Sequence, residues 1–249
     1  VVARVSGQSW EEFVESRIME PLGMTESAAS FRRIKDRSNI IDAHVPVDGK
    51  LQVVPKQEAK RHNSVGGIYS NVSDMSKWVM MQLNGGRYGS SPGKKIFSED
   101  VHREMWTPQT VRPVGRGGPY RTNFAFYGLG WNLSDINGYL QVSHTGGHSG
   151  IVTQVTMLPE LKLGIIVLTN QEEVSAFTAI TNSIIDRYLG VRNHDWVTEL
   201  KARMLKQQAE AREVTDRVWA TVEAKRNGSS AGVDTGDFEG TYSDIWFGD

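Results

Sequence analysis

Apolar residues recur at helical spacing along the first hundred positions of the chain. Trp10, Phe13, Val14 and Ile18 share one face of a predicted helix. Ser9 followed by Glu12 forms a capping box at its start, and Pro21 with Gly23 closes it. Met75, Trp78, Val79 and Leu83 make the stripe of a second helix beginning near Asn71, which Gly85-Gly86 ends. A shorter helix is predicted over Ser98–Trp106. Residues 25–65 are polar and scattered with basic groups, the pattern of a long irregular excursion over the domain rim. Residues 107–126, rich in Pro, Gly and Arg, read as loop.

From Tyr127 the period shortens to that of strands. Residues 127–133 predict a strand with glycines on one face, and 139–143 predict a second that leads into His144. Residues 151–158 follow as a third, then a turn at Pro159-Glu160 and a fourth over 163–169. That last run, Leu-Gly-Ile-Ile-Val-Leu-Thr, is continuously apolar and predicts a central strand buried on both faces. The short connections imply antiparallel neighbours. A helix with Phe177, Ile180, Ile184 and Tyr188 on one side is expected to pack across this sheet.

Residues 191–226 hold a long charged amphipathic linker helix, its stripe marked by Val197, Leu200, Met204, Ala211, Val214, Val218 and Val222. A flexible linker is expected over 227–236, and 237–249 read as the start of a β-rich module. The chain opens without an initiator Met or a signal peptide, as if mid-helix, and stops inside a strand-like run. It is therefore expected to be an internal piece of a longer protein.

Composition narrows the function classes. Of 249 residues, 39% are hydrophobic and 23% charged, as in ordinary globular proteins. A net charge of −1 argues against a nucleic-acid or anionic-membrane partner. No apolar run reaches the length of a membrane span. The absence of cysteine excludes a disulfide scaffold, thiolate catalysis and cysteine metal sites.

The chemistry concentrates at His144-Thr145-Gly146-Gly147. A cation-capable side chain, a hydroxyl and two glycines on a strand make a substrate-docking edge: the side chains hold an anionic group, and bare glycines let a substrate backbone come close. Each residue also has a plain alternative. His144 could be a surface histidine on an edge strand, Thr145 a strand former and Gly147 a bulge glycine. Asn170 either lines the pocket or caps a strand, and Tyr127 and Trp131 read as core or rim packing. His144 and His148 form an H-x-x-x-H pair, but strand signals surround it and no Glu follows the first His, so no metal site is expected.

Five segments in order carry a resemblance: Val5-Ser6-Gly7…Phe13…Pro21-Leu22-Gly23-Met24; Gly66-Gly67-Ile68-Tyr69-Ser70…Asp74-Met75…Trp78; Tyr127-Gly128-Leu129-Gly130-Trp131; His144-Thr145-Gly146-Gly147-His148-Ser149-Gly150; and Leu163-Gly164-Ile165…Leu168-Thr169-Asn170. Over residues 1–190 the chain resembles the serine β-lactamase and penicillin-binding-protein superfamily, in its class C, esterase and D-aminopeptidase branch. The resemblance implies an α+β fold, an antiparallel sheet flanked by helices with a helical subdomain, incomplete at the N-terminus. It also implies three motifs, S-x-x-K, Y-x-N or S-D-N, and K-T-G.

His144-Thr145-Gly146 looks like the third motif with His in place of Lys, and the first two are expected upstream of Val1. Ser91-Pro92-Gly93-Lys94 and Tyr69-Ser70-Asn71 fit the other patterns literally but stand in the wrong order and context. By resemblance, His144 stands beside the nucleophile and the substrate's anionic group, Thr145 bonds a substrate carboxylate or the carbonyl region, and the Gly147 N–H completes the oxyanion hole. Gly146, His148 and Asn170 join the substrate-binding set.

The implied activity is acyl-enzyme hydrolysis of an amide, lactam or ester, with this chain alone inactive for want of the serine. A non-catalytic penicillin-binding-like protein or peptidoglycan sensor is the alternative. No cofactor is implied. The expected partners are a small-molecule or peptide substrate, together with an N-terminal segment or a swapped copy that completes the sheet. The implied location is periplasmic or extracellular.

Overall fold

The computed structural model describes residues 1–249 apart from 48, 56–62, 91–92, 116–118, 229–233 and 249. It divides into two units, Val1–Thr198 and Glu199–Asp249.

The first unit opens with α1 (Val2–Ser6) and α2 (Trp10–Val14). The capping box forms as expected: Ser9 Oγ accepts from the Glu12 N–H at 3.2 Å, and Glu12 Oε2 accepts from the Ser9 N–H at 2.9 Å. The Ser9 N–H and hydroxyl both donate to the Glu12 carboxylate and hold it below the usual carboxylate range. A π-helical turn over Glu15–Met19 leads into α3 (Glu20–Leu22), whose second residue is Pro21. Proline has no N–H to donate back, and the widened turn absorbs the missing bond before Gly23, at φ 69°, ends the helix.

The described residues of 25–65 hold more regular structure than their polarity suggests. They contain an antiparallel hairpin, β1 (Ala43–Val47) and β2 (Lys50–Val54), followed by α4 (Asn63–Gly66). The hairpin is mostly exposed, so it lacks the apolar alternation that announces a strand. It is held instead by backbone bonds from His44 N to Gly150 O at 3.2 Å and to Asn170 O at 3.0 Å. Next come α5 (Val72–Leu83), capped by the Asn71 side chain, and α6 (Glu99–Met105), capped by Ser98.

The main sheet is an antiparallel meander in the order β3 (Thr110–Val111), β4 (Ala125–Tyr127), β5 (Asn132–Ile136), β6 (Tyr139–His148), β7 (Ile151–Leu158) and β8 (Leu163–Leu168). The expected strand over 127–133 is instead the end of β4, a turn and the start of β5. Gly128 donates to the Trp131 carbonyl at 2.8 Å across that turn. A Cβ on Gly128 would collide with the Met105 carbonyl oxygen, so Gly128 serves a close approach to α6, while Gly130 takes the turn's positive φ of 81°.

Helices cover both faces. On one, Val79 of α5 packs with Trp131, Leu133, Val142 and Met157. Gly164 lies so close to the Val79 side chain that no larger residue fits. Met81 of the same helix turns outward into a second cluster with Val14, Met19 and Leu22 of the helical layer. On the other face, Phe177 and Ile185 of α7 (Val174–Leu189) pack on Leu158, Leu163, Ile165 and Val167.

Two expectations change here. β8 is flanked by helical layers on its two faces, which explains its unbroken apolar run, but it is the last strand of the described sheet rather than a central one. The face that α7 buries is also not the predicted one. Ile180 and Tyr188 are 48% and 57% exposed, and the inward line is Phe177, Thr181 and Ile185. A polar residue interrupts that line, and Thr181 satisfies its hydroxyl by donating to Gln154 Oε1 at 3.2 Å.

The final helix, α8, runs Trp196–Gly228. Within the first unit its Trp196 indole donates to Asp186 Oδ2 at 2.8 Å, and the Tyr120 hydroxyl donates to the other oxygen of the same carboxylate. In the second unit the helix exposes Val214, Val218 and Trp219. A 3₁₀ turn over Thr235–Phe238 follows, and residues 238–242 form no strand ladder. Of the expected linker, 229–233 lie outside the described residues.

Candidate active site

The geometry of β6 follows from one turn. Asn137 and Gly138, at φ 50° and 90°, join β5 to β6 as a type I′ turn. Such a turn makes its flanking residues, Ile136 and Tyr139, a hydrogen-bonded pair, and the alternation of an antiparallel ladder does the rest. Tyr139, Gln141 and Ser143 direct their backbone groups to β5, while Val142, His144, Gly146 and His148 direct theirs to β7. The β5 ladder stops at Asn132↔Ser143, whereas β6 pairs with β7 as far as His148↔Ile151. Thr145 and Gly147 therefore aim their N–H and C=O groups at the side that β5 leaves open. All five residues from His144 to His148 are exposed.

His144 does not stand alone on this edge. Its Nε2 lies 3.0 Å from the Tyr127 hydroxyl, with the two rings 6.1 Å apart. Tyr127 pairs with Asn132, which in turn pairs with Ser143, so the phenol stands one residue off the imidazole's register. From the sequence alone, Tyr127 reads as core or rim packing. Its spacing from His144 carries no local signal, because the contact spans β5. Trp131, by contrast, is buried in the core, where packing was the expectation.

The two glycines differ. A Cβ on Gly146 would stand 2.5 Å from Thr153 Oγ1, so internal packing accounts for it. A Cβ on Gly147 would meet nothing within 4 Å. Among the described residues, no neighbour demands a glycine there.

His148 sits four residues along from His144, about 13 Å at the rise of an extended strand. With Ser149, Tyr69 and the apolar Ile40, Ile41 and Pro55 it lines a partly open cleft. Burial pushes the Tyr69 phenol above its ordinary value. Asn170 lies beside the β6–β7 turn with an exposed side chain, and its carbonyl anchors His44. The structure thus gathers His144, Thr145 and Gly147 on one open edge and sets His148 and Asn170 at its far end.

The literal match at Tyr69-Ser70-Asn71 has structural employment. Asn71 Oδ1 caps α5 by accepting from the Asp74 N–H at 2.9 Å, and Ser70 Oγ lies 2.8 Å from Ser27 Oγ. Ser27 Oγ in turn donates to the buried Asp74 carboxylate at 2.8 Å. Burial alone would raise that carboxyl, and the bonds from Lys77, Ser27 and the Glu26 N–H outweigh it and hold it low. Ser91 and Pro92 lie outside the described residues. Among the described residues, no group of three His, Asp or Glu side chains is placed to hold a metal ion.

The sequence model of the beta-lactamase family matches residues 1–186. The chain belongs to the beta-lactamase family. It is 26% identical over 227 residues to unguisins hydrolase ungD of Aspergillus violaceofuscus, covering 82% of this chain and 39% of that protein. It is 22% identical over 192 residues to the D-alanyl-D-alanine-carboxypeptidase/endopeptidase AmpH of Escherichia coli, covering 74% and 46%.

Among solved structures, the octameric penicillin-binding protein homologue from Pyrococcus abyssi superposes with a TM-score of 0.62 at 23% identity, over 76% of this chain and 40% of that one. A class C beta-lactamase superposes at 0.53 and 15% identity, over 74% and 53%. These neighbours show the same fold. The chain spans less than half the length of both of these curated relatives. No described helix is long and apolar enough to cross a membrane.

Proposed function

We propose that the protein carrying this chain is a serine hydrolase that cleaves an amide, lactam or ester through an acyl-enzyme, and that this chain supplies the edge on which the substrate lies. The observation that carries the reading is the half-open β6, which offers Thr145 and Gly147 backbone groups to an incoming extended segment. Family membership and the relatives' names, a hydrolase and a carboxypeptidase/endopeptidase, support it.

In this reading a serine hydroxyl upstream of Val1 attacks the substrate carbonyl. The new acyl–oxygen bond replaces the bond to the leaving amine or alcohol, which takes up the serine's proton by way of neighbouring groups. Water then cleaves the ester and returns the serine. The Gly147 N–H supplies half of the oxyanion hole, a donor worth about 3 kcal/mol in the transition state. His144 and Thr145 hold the substrate's anionic or carbonyl group, Gly146 keeps the edge bare, and His148 and Asn170 border its far end. β8 has no neighbour on its outer side among the described residues, which supports completion of the sheet by further chain or by a second copy. The family resemblance supports a periplasmic or extracellular site of action.

The test is labelling of the full-length protein with a fluorophosphonate, alongside turnover of a chromogenic cephalosporin, a nitrophenyl ester and a D-alanyl-D-alanine peptide. The reading expects a label on a serine outside residues 1–249 and turnover of at least one substrate. A label on a serine within this chain overturns it. A folded, full-length protein that takes no label favours the penicillin-binding sensor instead.

A further inference from the structure

We infer that Tyr127 is a positioning residue for His144: its hydroxyl donates to the imidazole Nε2 and thereby places the neutral ring's single proton on Nδ1. The inference rests on the reading of β6 as the docking edge only for its consequence, since the dyad itself stands on geometry.

A neutral imidazole has one N–H and one lone pair, and the partner of either nitrogen decides which is which. The Tyr127 hydroxyl, 3.0 Å from Nε2, is bonded to no other described residue, and no described residue bonds Nδ1. A phenol is a strong donor and a weak acceptor, because its oxygen lone pair is drawn into the ring. An imidazole's free sp² nitrogen is a strong acceptor. The favourable arrangement is therefore O–H to Nε2, which leaves Nδ1–H as a donor on the exposed edge. When the ring is doubly protonated the hydroxyl turns and accepts from Nε2–H, so the imidazole keeps its place in either state.

The mounting of Tyr127 is firm. Gln109 N–H donates to its carbonyl at 2.9 Å, and β4 pairs with β3 on one side and β5 on the other. The next residue, Gly128, is pressed against the Met105 carbonyl of α6. The fold thus fixes the base of a side chain whose tip orients the imidazole. In a lysine-bearing edge the cation needs no such partner. A histidine, with two inequivalent nitrogens, does.

The test uses full-length protein labelled with ¹⁵N only in its histidine side chains, with the His144 signals assigned by their loss in His144→Gln. At a pH where the ring is neutral, Nδ1 is expected to carry the proton and Nε2 the lone pair. In Tyr127→Phe the proton is expected to redistribute towards Nε2. A wild-type ring protonated on Nε2 overturns the inference, and so does a Tyr127→Phe ring with unchanged nitrogen shifts. Should Tyr127→Phe fail to fold, the wild-type tautomer still decides.

In the active full-length protein, Tyr127→Phe should lower kcat/KM on the order of two- to tenfold, the range for losing one neutral hydrogen bond. If the tautomer is as stated but His144→Gln leaves activity intact, the dyad stands and the docking role of His144 falls.

Discussion

The β5 ladder on β6 ends at Ser143 with Asn132, and from the next residue onward β6 has a strand partner on one side only among the described residues. A strand free on one side inside a sheet is a liability unless something binds there. Here the free stretch carries His144 and Thr145, side chains able to hold an anion.

The two glycines of that stretch should respond differently to alanine. Gly146→Ala drives a methyl into Thr153 Oγ1 and should cost about 1–3 kcal/mol, as overpacking does. Thr153→Ala should recover part of the loss. Gly147→Ala meets open space and should stay within about 0.5 kcal/mol of wild type. Urea midpoints of the variants check all three, and equal losses at 146 and 147 would contradict the assignment.

Asp135 should make the fold acid-sensitive. Burial would raise its carboxyl, but bonds from the Phe124 and Asn123 N–H groups and the Asn123 amide outweigh that and hold it below the usual range. A depressed carboxyl adds stability above its unfolded value, about 3.9, and the gain is lost as pH falls through the folded one. Asp135→Asn should therefore be less stable than wild type at pH 7, and the gap should close below about pH 4. Unfolding curves at the two pH values decide this.

Tyr120 should act at the other end of the scale. Burial, then the bond to Asp186 and its negative charge, push the phenol well above its ordinary value. A raised phenol adds stability that is complete below its unfolded value, about 10, and fades as pH climbs towards the folded one. Wild type should therefore lose stability faster than Tyr120→Phe between about pH 9.5 and 11. Parallel curves for the two proteins would contradict the link.

In the full-length protein, His144→Gln should lower kcat/KM, because the docking edge loses its cation-capable side chain. An unchanged kcat/KM removes His144 from the reaction.

Much of the architecture is written in local signals. Ser9 with Glu12, Asn71 and Ser98 mark helix starts, because a cap needs only residues three apart. What failed was non-local. Gly128 looks like a strand residue until the Met105 carbonyl arrives from α6. Thr181 hides the inward face of α7, because its satisfying partner, Gln154, sits on β7. The β1–β2 hairpin carries no apolar alternation, because Gly150 and Asn170 rather than a core hold it. The chemistry of His144 through Gly147 was legible from residue types, whereas Tyr127 was not. Strand order across β5, which brings the phenol to the imidazole, is invisible along the chain.

The half-open strand itself is most directly tested by amide hydrogen exchange at single residues of the full-length protein, with and without a bound boronic acid substrate analogue. In the free protein His144 and Gly146, bonded to β7, should be protected, while Thr145 and Gly147 exchange fast. The analogue should then slow Thr145 and Gly147. Protection of those two amides in the free protein, or exchange that the bound analogue leaves unchanged, would contradict the account.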